Sequence, residues 1–405
     1  MCVGSLKKLQ LTPHLVMCLI GFSSVASISV VAPILSIYLT SEMNVSAGIV
    51  GLVTAAFFIS SALTEIFLGI IAGGKKTITF LIFAFALLSI CPAFYPFANS
   101  IAVLVVLRAV HGFAYSFIET ASMILAALAI PSAERDKAVG VYTASLSIGL
   151  LIGPAITTFS IPLFGVLNMF YFASLFGLVG VFAAFFLSSK FRSIERDWHI
   201  IGVAVGGESL KSKASAIFHN KLYDVAFVGN LAFFALFGVL LAYAPIYAKD
   251  RLGLDYGFVS VLFLLYYIAT TVTRLSLSRI VGRVSKTTII ILGTGFAALF
   301  SAFLVVFTNS FVFAVVFALI GAVQGVLFPV GSMLIAEHIE PSRNVLANSI
   351  FSTGVDIGQG LAPLAAATVI YYGLEYGFVM SSVICVVATF LVVLLSKKSF
   401  QAVNY

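Results

Sequence analysis

The chain of 405 residues is 61% hydrophobic and only 9% charged, against roughly 45–50% and about 25% for a soluble domain. That balance excludes an ordinary water-soluble fold. The net charge of +7 does not call for nucleic acid, because the basic residues sort to one side of a membrane.

Apolar runs long enough to cross a hydrocarbon core of about 30 Å follow one another along nearly the whole chain: 14–40, 46–72, 77–98, 101–129, 138–162, 166–188, 223–247, 256–281, 286–307, 311–337, 345–371 and 376–396. Backbone groups in lipid must be satisfied within the segment, so these twelve runs are expected as membrane-spanning helices. The first is too long for a cleavable signal peptide. Of the 22 Lys and Arg, Arg108 and Arg274 fall inside spans and Lys249 and Arg251 lie on one side. The remaining eighteen lie on the other side or in the central loop. This positive-inside asymmetry puts both termini in the cytoplasm of a cell (plasma) membrane protein.

The spans repeat. At an offset of 209 residues Tyr38 meets Tyr247, Gly48 meets Gly257, Gly73 meets Gly282, Gly112 meets Gly321, Ala138 meets Ala347, Gly149 meets Gly358 and Pro154 meets Pro363. A same-direction repeat of six spans is the device by which two-lobed transporters build a central site. The expected fold is therefore all-α, with twelve transmembrane helices in two six-helix lobes, 1–188 and 223–405. Between them, 189–222 is a polar hinge. It opens on the charged stretch Lys190 to Asp197, breaks at Gly206-Gly207, and continues through Leu210, Ala214 and Ile217-Phe218 at helical spacing. An amphipathic helix on the cytoplasmic face is expected there. No soluble domain remains to house an ATPase, and no glycine loop ending in Lys-Ser or Lys-Thr is present.

The fourth span carries the densest polar stripe. At 100° per residue Arg108, His111, Tyr115, Glu119 and Ser122 share an arc of about 80°. Ionisable groups in hydrocarbon are costly and face a bundle interior or a wet cavity. Arg108 and Glu119 stand about 16 Å apart along the axis, too far to pair, which suits a permeation path better than a buried salt bridge. The competing reading is helix-to-helix hydrogen bonding, with Arg108 snorkelling outward. In the eleventh span Ser349, Ser352, Asp356, Gln359 and Pro363 share a face, and protonation is the simplest way to lower the cost of a mid-helix Asp356. Its repeat counterpart is Ser147, so the scaffold does not require an acid at that position.

Glu65 and Arg274 are repeat partners of opposite sign, expected either as a cytoplasmic gate between the lobes or as snorkelling residues. In the fifth span Gly149, Gly153 and Pro154 form a close-packing motif with a helix bend, and Gly321, Gly325 and Pro329 resemble it in the tenth. Tyr243, Tyr266 and Tyr267 are open to two readings, pocket lining or plain packing. The cysteines Cys2, Cys18, Cys91 and Cys385 have no metal-like spacing and no disulfide framework. His111 has no clustered metal partners. No cofactor, metal site or enzymatic nucleophile is expected.

These segments resemble the major facilitator superfamily over essentially the full chain, most closely its twelve-helix drug:proton antiporter branch. Arg108-Ala109-Val110-His111-Gly112 is similar to the branch's arginine motif, with His111 where glutamine is usual. Gly149-x3-Gly153-Pro154 matches the first half of the antiporter motif, and Thr157 and Thr158 stand where that motif ends in two glycines. Arg274 to Lys286, and more loosely Gly69 to Lys76, resemble the cytoplasmic loop signature, with Gly282 and Gly73 in place of its aspartate. The resemblance implies a secondary transporter of a small organic solute working by alternating access, with protons as coupling ion, export as direction and a monomeric assembly in the bilayer. Arg108 would tune proton affinity while Glu119 and Asp356 carry protons or bind a cation. A proton symporter or uniporter importing a nutrient is the alternative.

Overall fold

The computed structural model describes residues 13–71, 77–128, 135–190 and 210–403. Every regular element among them is helical. In chain order they are α1 (Pro13–Val31), α2 (Leu35–Ser41), α3 (Ala47–Ile71), α4 (Thr77–Phe94), α5 (Ile101–Leu128), α6 (Arg135–Phe164), α7 (Val166–Lys190), α8 (Leu210–Phe218), α9 (Lys221–Asp250), α10 (Tyr256–Leu275), α11 (Leu277–Val281), α12 (Lys286–Val306), α13 (Ser310–His338), α14 (Pro341–Val369) and α15 (Glu375–Val403).

Local chemistry explains many of the boundaries. The first predicted span is interrupted between α1 and α2 around Pro33, which has no N–H to donate and disfavours helix at the residue before it. Asn220 caps α9 by accepting from the amides of Leu222 and Tyr223 at 3.0 and 3.3 Å. Asp255 caps α10 through Phe258 at 2.8 Å, and Ser285 caps α12 through Thr288 at 3.1 Å. Such caps satisfy amides that the first helical turn leaves free.

Eleven helical stretches among the described residues are long and apolar enough to cross a membrane. The twelfth expected span is the helix α14, but Asn344, Asn348, Ser352, Asp356 and Gln359 keep it below that apolarity. Large side chains such as Phe159 (73% exposed), Leu163 (77%) and Phe311 (76%) cover the outside, a surface suited to acyl chains rather than water.

The repeat is visible as packing. A Cβ on Gly112 would collide with the carbonyl of Phe57, and one on Gly321 with the carbonyl of Tyr266, 209 residues on in both helices. Gly149 lies against Phe22 and Ala26, and Gly358 against Leu231 and Ala235, again 209 on. Equivalent contacts in the same chain direction make this a parallel repeat of two six-helix lobes. The lobes meet where α3 packs on α14 and α6 on α10, and the repeat exchanges these two interfaces.

Helix α8 falls where the amphipathic segment is expected, with Ile217 buried and Lys211 and Ser215 exposed. It docks on protein: Phe218 meets Tyr223 and Phe227 edge-on at 5.4 and 5.7 Å. Lys213, about one turn before Ile217 and on the same side, is also buried. The charged stretch Lys190 to Asp197 beyond its first residue, the Gly206-Gly207 break and Gly73 lie outside the described residues.

Candidate functional site

Helix α5 carries the polar stripe against α3, and the absence of a side chain at Gly112 lets the two backbones touch. Arg108 lies over the Phe57 ring at 4.4 Å, a cation–π contact, and donates to the Tyr95 hydroxyl at 3.5 Å. His111 is fully buried and shares a 2.6 Å hydrogen bond with the same hydroxyl. One tyrosine therefore holds both basic side chains, and each keeps a buried nitrogen (Nε of Arg108, Nε2 of His111) without a protein partner. Arg108 and Glu119 do not pair.

Further along the stripe the chemistry turns acidic. The Tyr115 hydroxyl lies beside the Glu119 carboxyl, and Ser122 shares a 2.7 Å bond with Tyr142. The Glu65 carboxyl on α3 neighbours those of Glu119 and of Asp356 on α14. Ser61, one turn before Glu65, lies near Asp356 across the lobes, and the Gln359 amide donates to Asp356 at 3.4 Å. One oxygen each of Glu65 and Asp356 is buried without a partner. Three carboxyls from both lobes thus converge, with no ion pair to any of them among the described residues.

Arg274 sits at the other interface. Its guanidinium donates to the Ser147 hydroxyl at 3.2 Å, from α10 to α6, and its Nε is buried without a partner. The expected contact between Glu65 and Arg274 is not formed here. Glu65 faces Asp356 on α14, while Arg274 faces Ser147 on α6.

The face carrying the turns 42–46 and 251–255 is closed. Ser36 donates to the Leu241 carbonyl at 3.0 Å, Tyr256 to Glu42 at 3.3 Å, and Lys249 to Ser41. Nearby, Gly51 presses against the Tyr243 hydroxyl and the Pro363 carbonyl, and that hydroxyl already donates to Pro363 at 2.8 Å. Tyr243 therefore serves a lobe-to-lobe contact. Tyr266 and Tyr267 are buried edge-to-face at 5.3 Å.

The packing motif does what its spacing requires. Gly149 and Gly153 admit the backbone of α1, and Ser29 donates to the Gly149 carbonyl at 2.8 Å. Thr157 and Thr158 return their hydroxyls to Pro154 at 3.0 and 2.8 Å, consistent with a proline-bent helix. In α13, Gly321 and Gly325 admit α10 in the same way.

Sequence reasoning missed Phe57, Ser61 and Tyr95. Phe57, Ser61 and Glu65 recur every four residues and share one face of α3, a signal that was available. Tyr95 stands in the short turn Tyr95–Phe97 after α4, and no spacing announces it. The C-terminal lobe carries apolar counterparts of the basic pair: Phe317 stands 209 after Arg108 and meets Tyr266, counterpart of Phe57, at 5.3 Å.

Two helical lobes, lipid-facing outside and holding buried charges where they meet, define a membrane transporter of small solutes. The chain belongs to the Major Facilitator Superfamily, whose family model matches residues 17–310 and 256–402. It is 22% identical over 371 residues to the multidrug resistance protein MdtG of Proteus mirabilis, covering 88% of each chain. It is 26% identical over 229 residues to multidrug resistance protein 2 of Bacillus subtilis, a match that spans 56% of this chain and 55% of that relative. Among solved structures it resembles the nucleoside transporter NupG, with a TM-score of 0.74 at 14% identity over 95% of this chain and 99% of that one. It also resembles a bacterial homolog to the human lysosomal transporter Spinster, with a TM-score of 0.76 at 14% identity over 98% and 99%.

Proposed function

We propose that this protein is a proton-coupled exporter of a small organic solute, working by alternating access. The observation that carries the reading is the convergence of Glu65, Glu119 and Asp356 from both lobes with no ion pair to neutralise them among the described residues. Carboxyls held together away from water share protons rather than ionise together. A solute whose cationic group displaces those protons is thereby exchanged for them. Two relatives that carry the name multidrug resistance protein support organic solutes as cargo.

In this reading residues 1–188 and 223–405 are the rocking lobes and 189–222 is the hinge. The strong bias of Lys and Arg puts both termini in the cytoplasm, so the closed face carrying 42–46 is the outer one and the site opens inward. The protein resides in the plasma membrane and works as a monomer. Arg108, held by Tyr95 and Phe57, fixes the start of the stripe, and Tyr115 and Gln359 position the carboxyls of Glu119 and Asp356.

Purified protein in liposomes tests the proposal. An imposed pH gradient, acid on the side from which protons would enter, should drive ethidium against its concentration gradient in the opposite direction, and a protonophore should abolish the accumulation. Transport in the same direction as the protons would select the import reading, and transport indifferent to the gradient would remove proton coupling.

A further inference from the structure

The two interfaces between the lobes are copies of each other with opposite charge. Glu65 and Arg274 are 209 positions apart, as are Ser147 and Asp356. One interface therefore pairs a carboxyl with a carboxyl, and the other pairs a guanidinium with a hydroxyl. Ion pairs form elsewhere, between Lys286 and Glu337 at 2.6 Å for example. Among the described residues none reaches Arg274, Glu65 or Asp356. An interior charge without a counter-ion is costly and demands one.

Each interface also holds unused hydrogen-bonding capacity of the matching kind. Beside Arg274, whose Nε has no partner, the hydroxyl of Thr271 is buried without one, three residues earlier on the same face of α10. The Ser147 hydroxyl is committed, donating to the Thr143 carbonyl at 3.2 Å and accepting from Arg274. The free donors are therefore the Arg274 guanidinium and the Thr271 hydroxyl, a set suited to an oxyanion such as a carboxylate. At the other interface one oxygen of Glu65 and one of Asp356 are free acceptors, suited to an ammonium group.

We propose that the transported solute is an elongated dipolar molecule, with an anionic end bound by Arg274 and Thr271 and a cationic end bound by Glu65 and Asp356. This rests on the reading of the protein as a transporter of organic solutes and names their class. A solute with both charges neutralises both interfaces at once, whereas a simple cation leaves Arg274 uncompensated. The buried, unpaired Arg274 has no use in a pathway built for cations alone.

The test uses one body with its ends blocked in turn: the peptide Ala-Phe-Ala free, N-acetylated (anionic only) and amidated (cationic only). Binding to the purified full-length protein is measured by isothermal titration calorimetry, with no gradient applied. The free form should bind at least tenfold more tightly than either blocked form. Arg274→Gln should weaken the free form about tenfold and leave the amidated form within twofold. Glu65→Gln should remove the advantage of the free form over the acetylated one. Should Arg274→Gln fail to fold, Arg274→Lys, which keeps the charge and loses the forked donors, should weaken the free form several-fold. The proposal is overturned if the amidated form matches the free form on the wild type, if the Arg274 variants bind the free form unchanged, or if no form binds. Because binding is read without a gradient, such a failure leaves the proton-driven transport of ethidium untouched.

Discussion

Arg274 donates to the hydroxyl of Ser147 from α10 to α6, and the counterparts of this pair under the 209-residue repeat, Glu65 and Asp356, are neighbours between α3 and α14. The scaffold is symmetric while the chemistry on it is not. Two equivalent contacts between rigid lobes carry an acid pair on one flank and a base on the other. Motion that opens one face must loosen both, so the charge state of each flank feeds the same equilibrium.

Glu65 and Arg274 should therefore behave as independent sites. Glu65→Gln and Arg274→Gln are expected to change thermal stability in detergent additively, within about 0.5 kcal/mol, as separated positions do. A coupling well above that in the double variant would restore the direct ion pair, and exchanging the two charges would then rescue transport. The geometry predicts no rescue, because each residue would meet the wrong neighbours.

Close approach of helices sets a second expectation. Gly112→Ala and Gly321→Ala each drive a methyl into a carbonyl of the facing helix, at Phe57 and at Tyr266. Backbone cannot yield as a side chain does, so each should destabilise its lobe by about 2 kcal/mol or more. Gly140→Ala serves as control, since its Cβ would meet open space. Helix propensity by itself favours alanine over glycine, so equal loss in all three, read as the midpoint of thermal unfolding, would show that the facing carbonyls do not set the effect.

Hydropathy and the repeat made the helices and their lobes legible, because lipid forces every spanning segment to satisfy its own backbone. The stripe from Arg108 to Ser122 was legible for a similar reason: only an interior face tolerates it. Which helices face each other across the lobes was not legible. Glu65 and Arg274 are opposite in sign, but with the face at 42–46 closed each meets a different helix of the other lobe. The meeting of Asp356 with Ser61 depends on how two lobes lean together, and no local pattern encodes that. The run 345–371 read as a span and is the helix α14, although the polar residues on its face lower its hydropathy.

Closure of the face carrying 42–46 can be fixed covalently. A Cβ on Gly48 would stand 4.0 Å from that of Ala367, across α3 and α14, within the usual span of a disulfide. Gly48→Cys with Ala367→Cys should cross-link rapidly under mild oxidant. Transport should fall to background and return on reduction, while each single variant keeps activity. Full transport by the cross-linked protein would show that this face need not open.

Three carboxyls converge, and separate variants assign the proton. Asp356 meets Ser61, Gln359 and Glu65 at the boundary between lobes, so its charge is felt directly by their separation. Glu119 lies beside Tyr115 of its own helix, and the basic residues of its stripe are engaged elsewhere, Arg108 with Tyr95 and Phe57 and His111 with Tyr95. The arrangement favours Asp356 as the coupling carboxyl, because protonating a residue within one lobe does not by itself change the contact between them. Asp356→Asn should fold, bind solute and exchange it across the membrane, yet lose accumulation driven by a pH gradient. Glu119→Gln should keep gradient-driven accumulation with weaker solute binding, about 1–3 kcal/mol for a lost charged hydrogen bond. If accumulation survives in Asp356→Asn and fails in Glu119→Gln, the proton belongs to the N-terminal lobe, and Asp356 serves as a solute contact.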